Sequence, residues 1–81
     1  MPQFDPPYPG ESLREDVMPE FAMTTAQLAK MLDYPQDQLA AVLSGHAPIS
    51  LELAQKLEAA GLGAARQYLA EQAAHDKWKA R

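Results

Sequence analysis

The sequence predicts an all-α fold, a five-helix bundle behind an extended N-terminal arm, in a single domain of 81 residues. Three observations predict it. Between Leu28 and Leu57 apolar residues recur at spacings of three and four, which is the period of one helix face. Helix-starting residues (Thr24, Ser50) and helix-stopping glycines (Gly45, Gly61, Gly63) punctuate that stretch where the pattern breaks. The prolines Pro2, Pro6, Pro7 and Pro9 forbid a helix in the opening residues and favour an extended chain with polyproline character. The expected division is an arm over residues 1–8, pinned to the domain by Phe4 and Tyr8, and a helical domain over residues 9–81.

The first helix opens at Pro9, since proline is tolerated in a first helical turn, and Glu11 complements the positive end of that helix. Leu13, Val17 and Phe21 form its apolar stripe, and Pro19 is expected to end or kink it near Met18. A second helix starts at Thr24, whose spacing to Gln27 fits a capping box, with Met23 and Leu28 placed as a hydrophobic staple. Leu28, Ala29 and Leu32 face inward, while Gln27, Lys30 and Met31 lie nearer solvent. Asp33-Tyr34 makes the corner, and Pro35 is expected at the first position of the third helix, whose buried stripe is Leu39, Val42 and Leu43. Gly45 stops it. After a loop at His46-Ala47-Pro48, Ser50 caps a fourth helix with Leu53, Ala54 and Leu57 inward. The last stretch reads as a long alanine-rich helix with few large side chains (Tyr68, Leu69, Gln72, Trp78), which leans on the domain or on a second copy of the chain.

Two short amphipathic helices joined by a tight corner over residues 24–45 form the helix-turn-helix layout, in which the second helix is offered to the major groove of DNA. Composition narrows the alternatives. Without cysteine there is no disulfide or thiolate metal site, and His46 and His75 stand far apart without clustered carboxylates, so no metal or other cofactor is expected. A chain of this size commonly gains stability from a partner subunit, and a dimer is expected. No apolar run approaches the roughly 20 residues of a membrane span, and the N-terminus lacks the basic-then-apolar order of a signal peptide. A cytoplasmic protein is the expectation.

Charge is unevenly spread. The net charge is −4, yet residues 1–60 set three basic residues (Arg14, Lys30, Lys56) against nine acidic ones, whereas residues 61–81 carry a balance of +2. The C-terminal end therefore suits phosphate or an acidic partner, or is a solvated helix end whose cations complement the helix dipole. Met18, Met23 and Met31 are core filler or part of a partner surface. No enzyme is predicted: Ser12, Ser44 and Ser50 have no general base at a recognisable spacing, and the neighbours His75 and Asp76 point apart on a helix.

Tyr8-Pro9-Gly10-Glu11-Ser12-Leu13-Arg14-Glu15, followed by Leu28-Ala29, Ser44-Gly45, Ile49-Ser50, Ala54, Leu57 and Gln72-Ala73-Ala74-His75-Asp76, resembles the HigA-type antitoxins, small helix-turn-helix proteins of the Xre/Cro type. The likeness runs through nearly the whole chain except its extreme N-terminus. It implies a five-helix fold of the lambda-repressor-like type, a homodimer, repression through operator DNA, and a toxin partner that is a ribosome-dependent messenger-RNA endonuclease. Matched onto the motif, the DNA-facing residues are Thr25, Gln36, Gln38, Ala41 and Ser44, with Lys30 and His46 nearby. Glutamine can pair with adenine and alanine can meet the thymine methyl, while Thr25 and the helix start behind it suit phosphate. The alternative is that Gln36 and Gln38 are simply exposed polar residues on a core helix, and that the scaffold is a protein-interaction module whose acidic first 60 residues dock a basic partner. The chain departs from the family at the corner, where Asp33 replaces a common glycine. It departs again at Pro35-Gln36-Asp37-Gln38, at His46-Ala47, where relatives are often basic, and at Ala64-Ala65-Arg66-Gln67-Tyr68, where a tryptophan-containing segment is usual.

Overall fold

Helix α1, in the computed structural model, is assembled from three consecutive stretches: α-helical Pro9–Ser12, π-helical Leu13–Val17 and α-helical Met18–Glu20. The structure describes residues 8–80; the expected arm lies outside them apart from Tyr8, as do Phe4 and Arg81. Pro9 occupies the opening turn as expected, but Pro19 does not stop the helix at Met18. The Met18 N–H bonds to the Leu13 carbonyl five residues back. That wider turn brings Pro19 into the first turn of the resumed α stretch, where its missing N–H is not needed. The same turn changes which residues share a face. Leu13 and Met18, five apart, are buried together, whereas the expected stripe member Phe21 is 54% exposed. The helix ends on Ala22 in the left-handed region (φ 53°), with Ala22 N–H donating to the Pro19 carbonyl and Met23 N–H to that of Met18.

Helix α2 (Thr25–Leu32) begins with both halves of the capping box: Gln27 N–H donates to Thr24 Oγ1 at 3.2 Å, and Thr24 N–H to Gln27 Oε1 at 2.9 Å. It closes on Asp33 at φ 52°, ψ 52°, so aspartate does enter the left-handed conformation that the corner requires. Helix α3 (Gln36–Leu43) has Pro35 at its cap rather than at the expected first helical position; with ψ at 130°, Pro35 is still extended. Helix α4 (Leu51–Ala59) starts on Ser50, whose Oγ accepts from Leu53 N–H at 3.0 Å, and stops at Gly61 (φ 78°). Helix α5 (Ala65–Lys79) completes the five helices, and no strand occurs among the described residues.

One apolar cluster joins all five helices. Leu13, Leu28, Leu39, Leu53 and Leu57 are fully buried at its centre, and each of the inward residues expected of α2, α3 and α4 is buried. Of the methionines considered, Met18 is core, Met23 packs on the cluster from its edge and Met31 is exposed. The long α5 buries only Tyr68, whose hydroxyl donates to the Leu62 carbonyl; burial, then the charge of Glu71, raises that hydroxyl above its ordinary value.

Candidate nucleic-acid interface

The fold places α3 at the surface with its apolar stripe turned inward. Leu39, Val42 and Leu43 are buried, while Gln36, Asp37 and Gln38, its first turn, are exposed. Three successive polar residues there are possible because α3 packs through the remainder of its length, from Leu39 to Leu43. Pro35 offers no side-chain cap, and Asp37 is the acidic group that complements the positive end of the helix.

Helix α3 is anchored at its other end. A Cβ on Gly10 would stand 2.9 Å from Leu43 Cα and closer still to the Val42 carbonyl, so α1 meets α3 backbone to backbone. Arg14 Nη1 donates to the Leu43 carbonyl at 2.8 Å and to Tyr8 Oη at 3.2 Å, and its Nη2 pairs with Glu15 at 3.2 Å. Nothing in residue spacing announces these contacts. Gly10 and Arg14 stand in the segment that carried the family likeness, which was the one signal that could have pointed to them.

The structure brings the expected site residues together in two groups. Lys30 and Gln36 border one open groove of about 540 Å³ in the elbow between α2 and α3, together with Ala26, Asp33 and Tyr34. Ser44 and His46 meet beyond the end of α3, where Ser44 Oγ lies 2.7 Å from His46 Nδ1 and donates to the Ala41 carbonyl at 3.2 Å. Gln38 is exposed beside Gln36; Thr25, at the first position of α2, and Ala41, on the flank of α3, are half-buried. His75 and Asp76, expected to point apart, both border a second cleft. Among the described residues no group of three or more His, Asp or Glu side chains is placed to hold a metal ion, and no helix is long and apolar enough to cross a membrane.

A buried-stripe α3 whose first turn faces outward, joined by a left-handed corner to a capped α2, defines a helix-turn-helix protein. Known structures agree on the fold. Antitoxin GraA is 27% identical, with a TM-score of 0.90 over 96% of this chain and 84% of its own. The Pseudomonas aeruginosa antitoxin HigA, determined with the higBA promoter, is 25% identical, with a TM-score of 0.86 over 93% of this chain and 82% of its own. An addiction module antidote protein of a HigA family from Coxiella burnetii is 32% identical, with a TM-score of 0.82 over 90% of this chain and 79% of its own. No protein-family model and no curated protein sequence matches the chain. The chain belongs to the HigA family of antitoxins.

Proposed function

We propose that this chain is an antitoxin-type transcriptional repressor. Two copies bind an inverted-repeat operator, and the same protein neutralises a toxin that is an RNA endonuclease, in the cytoplasm, without catalysis or a cofactor. The observation that carries the DNA half is the exposure of Gln36 and Gln38 on the first turn of α3, backed by the fully buried Leu39. In this reading the two glutamines pair with adenine N6 and N7, and Ala41 meets a thymine methyl. Thr25 and Lys30 approach phosphates, and Ser44 and His46 follow at the end of the reading helix. Pseudomonas aeruginosa HigA, with its promoter DNA, supports the operator assignment by likeness. A dimer sets two α3 helices about 34 Å apart, one turn of the duplex.

Titrating the protein's own upstream DNA at stated salt tests the reading. Specific binding is expected, with the preference for the operator lost in Gln36→Ala and Gln38→Ala. Absence of specific binding at low salt overturns it in favour of a protein-interaction module. For the toxin half, the acidic balance of residues 1–60 suits a basic partner. Co-expression with the product of a neighbouring reading frame should rescue growth, and failure to rescue or co-purify removes that half. Light scattering should return a dimer; a monomer at high concentration refutes the two-copy arrangement.

A further inference from the structure

The first turn of α3 sends its three polar side chains in different directions. A helix turns about 100° per residue, so Gln36, Asp37 and Gln38 cannot share one face. Counted from the middle of the buried stripe of Leu39, Val42 and Leu43, the residue almost directly opposite is Asp37. Ala41 and Ser44, four and seven positions on, fall on the same outward line. Gln36 lies to one side, in the elbow groove with Lys30, and Gln38 to the other. Any docking that brings Ala41 and Ser44 to DNA therefore brings Asp37 with them, at the leading turn, where a reading helix meets base edges.

The fold makes no use of this carboxylate. Helices α2 and α4 start on Thr24 and Ser50, whose side chains accept from their own backbone N–H groups, whereas Asp37 makes no such bond. Among the described residues it has no hydrogen-bond or ion-pair partner. Complementing the positive end of the helix does not consume its oxygens. Helix α3 itself carries no cation that could neutralise it. An acceptor-only group on that line enters a groove walled by phosphates, and only a donor on a base can offset the cost. Cytosine offers its N4 amino group in the major groove. Guanine shows N7 and O6 there and thymine O4, all acceptors, against which a carboxylate loses water and gains repulsion. Adenine sets its N6 amino group beside the acceptor N7, an edge that suits an amide better than two oxygens.

We infer that Asp37 fixes a cytosine in each operator half-site by accepting from its N4 amino group, and excludes guanine and thymine at that position. The inference rests on the operator-binding reading and adds a third base position to those met by the glutamines. Its discrimination comes as much from the penalty against wrong bases as from the contact with the right one.

The test uses the full chain and its own upstream DNA, with each half-site position replaced in turn by all four bases. Wild type, Asp37→Ala and Asp37→Asn are titrated against the set; Asp37 is exposed, and thermal unfolding checks that the fold is kept. For the wild type, one half-site position should prefer cytosine over guanine and thymine by about ten-fold or more. Asp37→Ala should level the bases at that position alone. Asp37→Asn, of the same shape, should move the preference to adenine, because an amide pairs with N6 and N7. A role in folding alone would not produce that exchange. If neither variant changes the preference at any position, the Asp37 assignment falls and the operator reading stands. Should both variants tighten every sequence by the same factor, Asp37 only repels phosphate and the assignment is again overturned. A wild type without base preference at any position removes both readings together.

Discussion

The two ends of α3 are built on opposite terms. Its first turn carries Gln36, Asp37 and Gln38 into solvent and has no side-chain cap. Its last turn is pressed against the α1 backbone at Gly10, holds Arg14 and Tyr8 on the Leu43 carbonyl, and ends on left-handed Gly45. The difference teaches that fastening a reading helix at one end frees the other end from packing duty. Polar side chains at the free end then cost little stability, and their identity can follow the partner.

Substitutions at the two ends should therefore separate folding from recognition. The largest effect is expected from Gly10→Ala, which forces a methyl group into backbone; denaturant unfolding should show a loss of about 3 kcal/mol, the upper part of the overpacking range. A loss within a few tenths would mean that α1 and α3 can slide apart, and the comparison would break. Next, Gln36→Ala and Gln38→Ala should each remove about 1–3 kcal/mol of base discrimination in operator titrations. Their unfolding midpoints should stay within about 0.5 kcal/mol of the wild type, as for surface positions in general. Gly45→Ala should destabilise by about 1–2 kcal/mol, from its left-handed backbone and the crowding of Tyr8, and near-identity with the wild type would show that the fastened end is looser than drawn.

The smallest effect concerns Glu71 on α5, which lies outside both ends of α3 and so serves as a control. Burial raises its carboxyl above the ordinary 4.5, the charge of Asp16 on α1 raises it further, and a hydrogen bond from Gln67 opposes both; its Oε1 is buried without a partner. The folded state thus holds this proton more tightly than the unfolded chain does. Its contribution to stability is full below 4.5 and is lost as pH rises through the folded value. Glu71→Gln should raise the unfolding temperature at pH 7 and remove that part of the gain on acidification. A variant less stable at pH 7 would contradict the account.

Local chemistry made much of this molecule readable in its residues. Thr24 with Gln27, Ser50, Asp33 and Gly45 act through hydrogen bonds and dihedrals a few positions away, so α2, the corner, α3 and α4 follow from nearest neighbours. The exposure of Lys30, Gln36, Gln38, Ser44 and His46 follows in the same way, by exclusion from the apolar stripe. What escaped depends on elements distant in the chain. The π turn before Pro19 places Met18 inward instead of Phe21, and it pays off only against a packed core. Pro35 at the cap instead of the first turn is a shift of one residue that spacing does not resolve. The cleft between α5 and the end of α3 rests on Gln72 with Ile49 and on His75 with Tyr8, pairs for which periodicity carries no signal.

Gly10 has a mechanical consequence. At that point α1 and α3 touch through main chain, with no compressible layer of side chains between them, so neither shifts there without carrying the other. The last turn of the reading helix is therefore held in register with α1, while Gln36 and Gln38 stand at its far tip.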